Sequence, residues 1–229
     1  MPGRIYRSKL ALSTAIVTGF LLMISRLQLS RLTIEDRSII QPTKLYNKPK
    51  ICQPNITNAT YFSQGREDQA LFERCFSSPP RCNGVYVEIG ALDGVKYSVT
   101  KFFEDYLNWT GVLIEALPEN IGNGFSTVRQ VPCRPIGSML ADAGIERVDI
   151  FVLDVEGSEF MVLQTMDWSI PVGVFVVEMS HNDNDRMVKK LLYRKGYYKS
   201  KWKIDHYCPA ETGCARNEVF ERAHLSSER

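Results

Sequence analysis

The chain has little charge of either sign to spare, few histidines and no Cys-x-x-Cys pair. Its formal net charge over 229 residues is +2, with no long basic or acidic block, which argues against a nucleic-acid partner. The three histidines are scattered and no Cys-x-x-Cys pair occurs, so the pattern of a structural zinc site is missing. A Gly-x-Gly-x-x-Gly turn is also missing, which removes the usual cradle for the pyrophosphate of a dinucleotide. No internal repeat or low-complexity segment is present. What remains is 44% hydrophobic and 24% charged, the composition of one globular domain with room for a sizeable core.

The N-terminus departs from that average. The run "LALSTAIVTGFLLMI" (residues 10–24) carries no charge, and with Ser25 the uncharged stretch between Lys9 and Arg26 reaches 16 residues. A membrane-spanning helix wants roughly 20 residues, with a lower limit near 17. Arg26 can snorkel, and Leu27, Leu29 or Leu32 can extend the apolar length. "SRLQLSRL" offers no small-x-small cleavage site after the run, so an uncleaved signal anchor is expected over residues 10–28, behind a cytosolic tail of residues 1–9. Arginines and lysine flank the run on both sides, so charge does not orient it.

Other features do. Asn55-Ile-Thr57, Asn58-Ala-Thr60 and Asn108-Trp-Thr110 are N-glycosylation acceptors only in the secretory lumen. All six cysteines (Cys52, Cys75, Cys82, Cys133, Cys208 and Cys214) follow the anchor. Cys75 with Cys82, and Cys208 with Cys214, close short loops that suit local disulfides in an oxidising compartment. The expectation is a single-pass type II membrane protein of the endoplasmic reticulum or Golgi with a lumenal body. Residues 29–60 are polar, contain Pro42, Pro49 and Pro54, and read as a stem.

From Tyr61 onward, short apolar runs alternate with helical patterns. "SQGREDQALFERCF" is a helix with Ser63 as its expected N-cap. "VYVEI", "TGVLIEA", "VDIFVLDVEG" and "VGVFVVEMS" read as buried strands, and "YYKSKWKIDHYCP" as a final one. Helices are expected from about Ser98, in "RPIGSMLADAG", in "SEFMVLQTM" and in "DNDRMVKKLLYRKG". Buried strands alternating with helices imply an α/β fold around a mostly parallel sheet. Ligands in such sheets sit beyond the carboxyl ends of the strands. Four successive strands end in carboxylates there: Glu88, Glu115, Asp154 with Glu156, and Glu178.

The first strand runs into Glu88-x-Gly90-x-x-Asp93-Gly94, where glycines let the main chain approach a ligand. Glu115 follows 21 residues after Gly94, at the end of the next strand, where an acid can accept hydrogen bonds from both hydroxyls of a ribose. The pair favours an adenosine-type ligand. Glycine also serves any tight strand-to-helix loop, and Asp154 and Glu156 could equally cap the helix after Ser158.

In order and style, "YFSQGREDQALF", "GVYVEIGALDGVKYSVT", "WTGVLIEALPEN", "VPCRPIGSMLADAG", "VDIFVLDVEGSEFMVLQTMD" and "VFVVEMS" resemble the FkbM-type methyltransferases over residues 61–207. The resemblance implies a Rossmann-like class I methyltransferase fold, S-adenosylmethionine as cofactor, and methylation of a hydroxyl on a glycan or small molecule. It assigns Glu88, Gly90, Asp93 and Gly94 to the cofactor loop, Glu115 to the ribose, and Asp154 and Glu156 to the transfer centre. Those two could assist deprotonation of the acceptor directly or through a divalent cation, and His181 is a further base candidate, or an ordinary surface-loop histidine. One departure stands out. Where family members continue through a further helix and strand, this chain has only "IGNGFSTVRQ" before "VPC", so a missing edge element is expected. Membrane-anchored proteins with this domain also include Star-like escorts, which implies, as an alternative, a non-catalytic carrier of protein cargo from endoplasmic reticulum to Golgi.

Overall fold

A computed structural model of the chain describes residues 23–25, 50–115, 134–179, 183–204 and 217–222. Nine strands and five helices are placed in these segments. In chain order they are β1 (Met23–Ser25), β2 (Lys50–Ile51), α1 (Glu67–Leu71, continued by a wider π-helical turn over Phe72–Phe76), β3 (Arg81–Cys82), β4 (Val85–Ile89) and α2 (Lys101–Leu107). There follow β5 (Thr110–Glu115), α3 (Ile136–Asp142), β6 (Val148–Leu153), α4 (Glu159–Gln164), β7 (Val172–Glu178), α5 (Asp183–Arg194), β8 (Tyr197–Lys199) and β9 (Asn217–Arg222).

Seven strands make one sheet in the order β1-β5-β4-β6-β7-β9-β8, and β2 pairs with β3 apart from it. The four central strands are parallel: β5 on β4, β4 on β6, and β6 on β7. Strand β9 runs antiparallel between β7 and β8. This is the expected α/β, Rossmann-like arrangement. All five residues of β4 are buried because the strand is covered on both faces, and period-two alternation sends its side chains to two separate cores. Val87, Ile89, Phe151, Leu153, Phe175 and Val177 face α3, α4 and α5 through Met139, Leu140, Leu163, Val188 and Leu192. Tyr86, Leu113, Ile150, Val152, Val174 and Val176 face α1 and α2 through Leu71, Phe72, Phe102, Phe103 and Leu107.

The edge beside β5 is taken by β1, antiparallel, with Met23 opposite Glu115 and Ser25 opposite Leu113. Met23–Ser25 thus belongs to the sheet, while the rest of the apolar run, together with residues 116–133 where the shortened connection falls, lies outside the described residues. Among the described residues no helix is long and apolar enough to cross a membrane.

The cysteine pairing differs from expectation. Cys82 is bonded to Cys52, 30 residues away, and not to Cys75. The antiparallel pairing of Lys50 with Cys82 and Ile51 with Arg81 carries Cys52 past Cys82, which brings the two side chains together. Spacing in sequence had favoured the nearer partner, but the short strand pair decides. Cys133, Cys208 and Cys214 lie outside the described residues. Within the stretch read as stem, residues 50–60 are fastened to the body: Cys52, Ile56 and Ala59 pack against the second core, and the Thr60 N–H donates to the Tyr106 hydroxyl at 2.9 Å.

Ser63 does not cap α1. The N-cap is Arg66, in a left-handed conformation, and Ser63 instead donates its hydroxyl to Asp68 at 2.6 Å. Asp68 also takes the N–H groups of Phe62 and Ser63, so a buried carboxylate satisfies the turn that leads into the helix.

Candidate functional site

The chain order of the sheet reverses at β4: the next strand in sequence lies on one side of it, and β6 on the other. The crevice beyond the carboxyl ends of β4 and β6 is therefore the topological switch point, the usual ligand position in open α/β sheets. Two turns meet there. After β4 the chain turns through Gly90, Leu92 and Gly94, all with positive φ (87°, 52° and 77°); after β6 it turns through Glu156 and Gly157 (52° and 99°). A side chain at Gly90 would place its Cβ 1.8 Å from the Asp154 carbonyl oxygen, so only glycine permits the two turns to touch. Asp154 N–H donates to Ile89 O at 3.0 Å across the same contact.

The first turn is laid against β5. Gly90 and Ala91 N–H both donate to Ile114 O, and Leu92 N–H donates to Glu115 Oε2 at 2.8 Å. At Gly94 the φ of 77° is itself a demand for glycine, and a Cβ there would also press on Leu113 Cδ1 at 2.6 Å. The glycines expected to open the backbone to a ligand are thus explained first by how closely the chain packs on itself. Asp93 organises the loop beyond: its carboxylate accepts from Lys96 and Val95 N–H at 2.7 and 2.9 Å, and these bonds hold it below the usual carboxylate range.

The four strand-end carboxylates fall on one face. Alternation puts Glu88, Glu115, Asp154 and Glu178 in register with Tyr86, Leu113, Val152 and Val176, toward α1 and α2. Their environments then separate them. Glu88 is 3% exposed and committed to the chain itself. It accepts from Val99 N–H and the Ser98 hydroxyl, each at 2.8 Å, and from the Thr100 hydroxyl. Burial raises its pKa, and those hydrogen bonds counter part of the rise. Glu88 fastens the start of α2, and Glu115, equally buried at 3% exposed, fastens the first turn through the Leu92 N–H.

Asp154, Glu156 and Glu178 form the centre. One oxygen from each lies within 4.8 Å of the others, a set that could hold a cation. Asp154 and Glu178 are hydrogen-bonded through their carboxyls, and both titrate above their ordinary values. Burial is the main cause for each. Glu156 and Glu159 add like charge to both, and Glu115 does so to Asp154. Glu178 also has a buried Oε2 with no hydrogen-bond partner. Burial and the neighbouring carboxylates favour the protonated form of the pair.

Sequence reasoning missed the groups that hold this centre in place. Glu159, fully buried, accepts from Gly157 and Val155 N–H at 2.9 and 3.3 Å and from Asn184 Nδ2, so it holds the turn that leads into α4, whose N-cap, Ser158, makes no side-chain cap bond. Asn184 in turn takes Phe160 N–H, which ties α5 to the turn. On the other side, Asn217 stands opposite Glu178 in the sheet and donates to Glu67 Oε1 at 3.2 Å. Glu67 also accepts Gly65 N–H at 2.8 Å, so the turn before α1 closes over the same end of the sheet. The "SQGRED" run was a signal for this, though its distance in sequence gave no hint of the partner. His181 lies outside the described residues.

A parallel sheet with a reversed strand inserted near one edge, and an acid at the end of the strand beside the switch point, define a Rossmann-like fold of the class I methyltransferase type. The family model of the methyltransferase FkbM domain matches residues 121–198, roughly a third of the chain. That span includes Asp154, Glu156 and Glu178; Glu88, Gly90, Asp93, Gly94 and Glu115 precede it. Comparison with curated proteins gives no match.

Proposed function

We propose that the chain transfers a methyl group from S-adenosylmethionine to a hydroxyl of a glycan or small molecule, inside the secretory pathway, as a single-pass type II membrane protein. The observation that carries the chemistry is the hydrogen-bonded carboxyl pair Asp154–Glu178 at the ends of two adjacent parallel strands, with Glu156 beside it. The site suits the cofactor by charge. S-adenosylmethionine supplies a methyl group activated on a cationic sulfur, and a crevice lined by Asp154, Glu156, Glu178 and Glu115 attracts a cation. Glu115 would take the ribose hydroxyls, and the Leu92 N–H would keep its carboxylate aimed. Asp154 would accept the proton of the acceptor hydroxyl, made more basic by burial and neighbouring charge. Glu178 would orient Asp154 through their shared proton.

Support for the location is the uncharged run before Arg26, the glycosylation triplets and the Cys52–Cys82 bond, which suits an oxidising lumen. The competing reading, a non-catalytic Star-like escort, draws on one observation: Glu88 and Glu115 both serve the chain's own backbone and would be kept for the fold alone. Thermal melting with S-adenosylhomocysteine separates the two. At a hundred times the dissociation constant, binding adds about 2.7 kcal/mol, a rise of roughly 5–10 °C for a chain of this size. Glu115→Ala should lose that rise, and Asp154→Asn should keep it. A wild-type melt that is cooperative but does not move would remove the cofactor and leave the escort.

A further inference from the structure

The strap over residues 50–60 carries a feature that methyl transfer does not use. It is held to the body at three places: the β2–β3 pairing, the Cys52–Cys82 bond and the Thr60 contact with Tyr106. Between these points Ile56 and Ala59 turn inward onto the second core, while Asn55, Thr57, Asn58 and Thr60 are exposed. In both Asn-x-Thr triplets the middle residue is therefore the one that packs, and the asparagine and its threonine face solvent together. Asn55 uses its oxygen to accept the Thr57 N–H at 3.3 Å, which directs the amide nitrogen away from the backbone. Asn58 has φ 63°, a left-handed conformation that asparagine tolerates better than most residues.

The third triplet shares that exposure pattern, with Asn108 and Thr110 exposed about a packed middle residue, and differs in that its asparagine nitrogen is engaged. Asn108 ends α2 in a left-handed turn and donates its Nδ2 to Asn83 Oδ1 at 2.7 Å. Its middle residue, Trp109, is 2% exposed and donates its indole N–H to Arg81 O, and Thr110 opens β5. The amide nitrogen that a sugar would occupy is already part of the fold.

We propose that the strap is a glycan-bearing segment, modified at Asn55 and Asn58 and not at Asn108; this rests on the lumenal placement proposed above. The donor class is an oligosaccharide linked through a diphosphate to a lipid, handled by the cell's own transferase. The asparagine Nδ2 forms a bond to the anomeric carbon and gives up a proton, the bond from that carbon to the diphosphate oxygen breaks, and the lipid diphosphate leaves.

The test is to express the full chain in a eukaryotic cell with an Asn-x-Thr tag appended after Arg229, and to follow mobility before and after peptide N-glycosidase. The expected result is that the double variant Asn55→Gln/Asn58→Gln loses every enzyme-sensitive step except that of the tag, while Asn108→Gln keeps the wild-type pattern. A glycosylated tag with no change at Asn55 and Asn58, or a step lost only in Asn108→Gln, overturns the inference and leaves the lumenal reading standing. If neither the tag nor the native triplets are modified, the lumenal placement fails and the glycans fail with it.

Discussion

Replacing Glu88 tests whether its carboxylate is a fastening of the fold. In Glu88→Ala the Val99 N–H, in a residue only 7% exposed, loses its acceptor and cannot re-aim, because the backbone fixes it. A stranded buried donor costs about 1–3 kcal/mol. The hydroxyls of Ser98 and Thr100 can rotate, but each gives up a hydrogen bond to a charged group, worth about 1.5–3 kcal/mol. Partial rotation and the relief of a buried charge offset some of this, leaving a net loss of roughly 3–5 kcal/mol, against a typical total of about 5–15. Glu88→Gln keeps an oxygen for Val99 and can donate to a rotated hydroxyl, so its loss should be about 1–2 kcal/mol. Equilibrium unfolding in urea, followed by tryptophan fluorescence, reads both numbers as shifts in midpoint at unchanged slope. An alanine variant within about 0.5 kcal/mol of wild type would refute the reasoning, because surface substitutions do no more than that. A glutamine variant as damaged as alanine would show that charge, and not hydrogen-bond geometry, is what the start of α2 requires.

Peptide mapping under non-reducing conditions should recover Cys52 joined to Cys82, and Cys52→Ser should cost about 3.5 kcal/mol for the 30-residue loop it opens; a Cys75–Cys82 peptide would contradict the pairing. Glu178 provides a pH test. Its folded pKa lies above its unfolded one, so the stability it contributes is complete below the unfolded value and is lost as pH rises through the folded value. Wild type should therefore lose more melting temperature between pH 5 and about pH 8 than Glu178→Gln, whose amide cannot ionise. Equal losses in the two proteins would mean that the Asp154–Glu178 pair does not share a proton.

The central sheet was legible because its strands are short apolar runs buried on both faces, so "VYVEI", "TGVLIE", "VDIFVL" and "VGVFVVE" announce themselves without any partner. Strand β9 was not, since "NEVFER" has only Val219 and Phe220 as apolar residues and is recognisable only once β7 and β8 lie beside it. The strand-end carboxylates could be found by position, and the structure brings them to one face. Their division of labour could not: Glu88 stands opposite Leu113, two residues short of Glu115, and only the neighbours Ser98, Thr100 and Leu92 show what each carboxylate holds. Glu159 was hidden by the more conspicuous acids before it, and Asn217 by the 150 residues between it and Glu67. The wrong cysteine pairing has the same origin, because nearness along the chain was the only distance available.

The close approach of Gly90 to the Asp154 carbonyl has a mechanical consequence. With no side chain between them, and with Asp154 N–H bonded to Ile89 O, the turns after β4 and β6 cannot separate without breaking backbone hydrogen bonds of the central sheet. The floor of the crevice is one rigid piece. Any widening that admits a ligand has to come from its walls, among them the Ser63 to Glu67 turn, which meets the sheet through the Asn217 amide on Glu67.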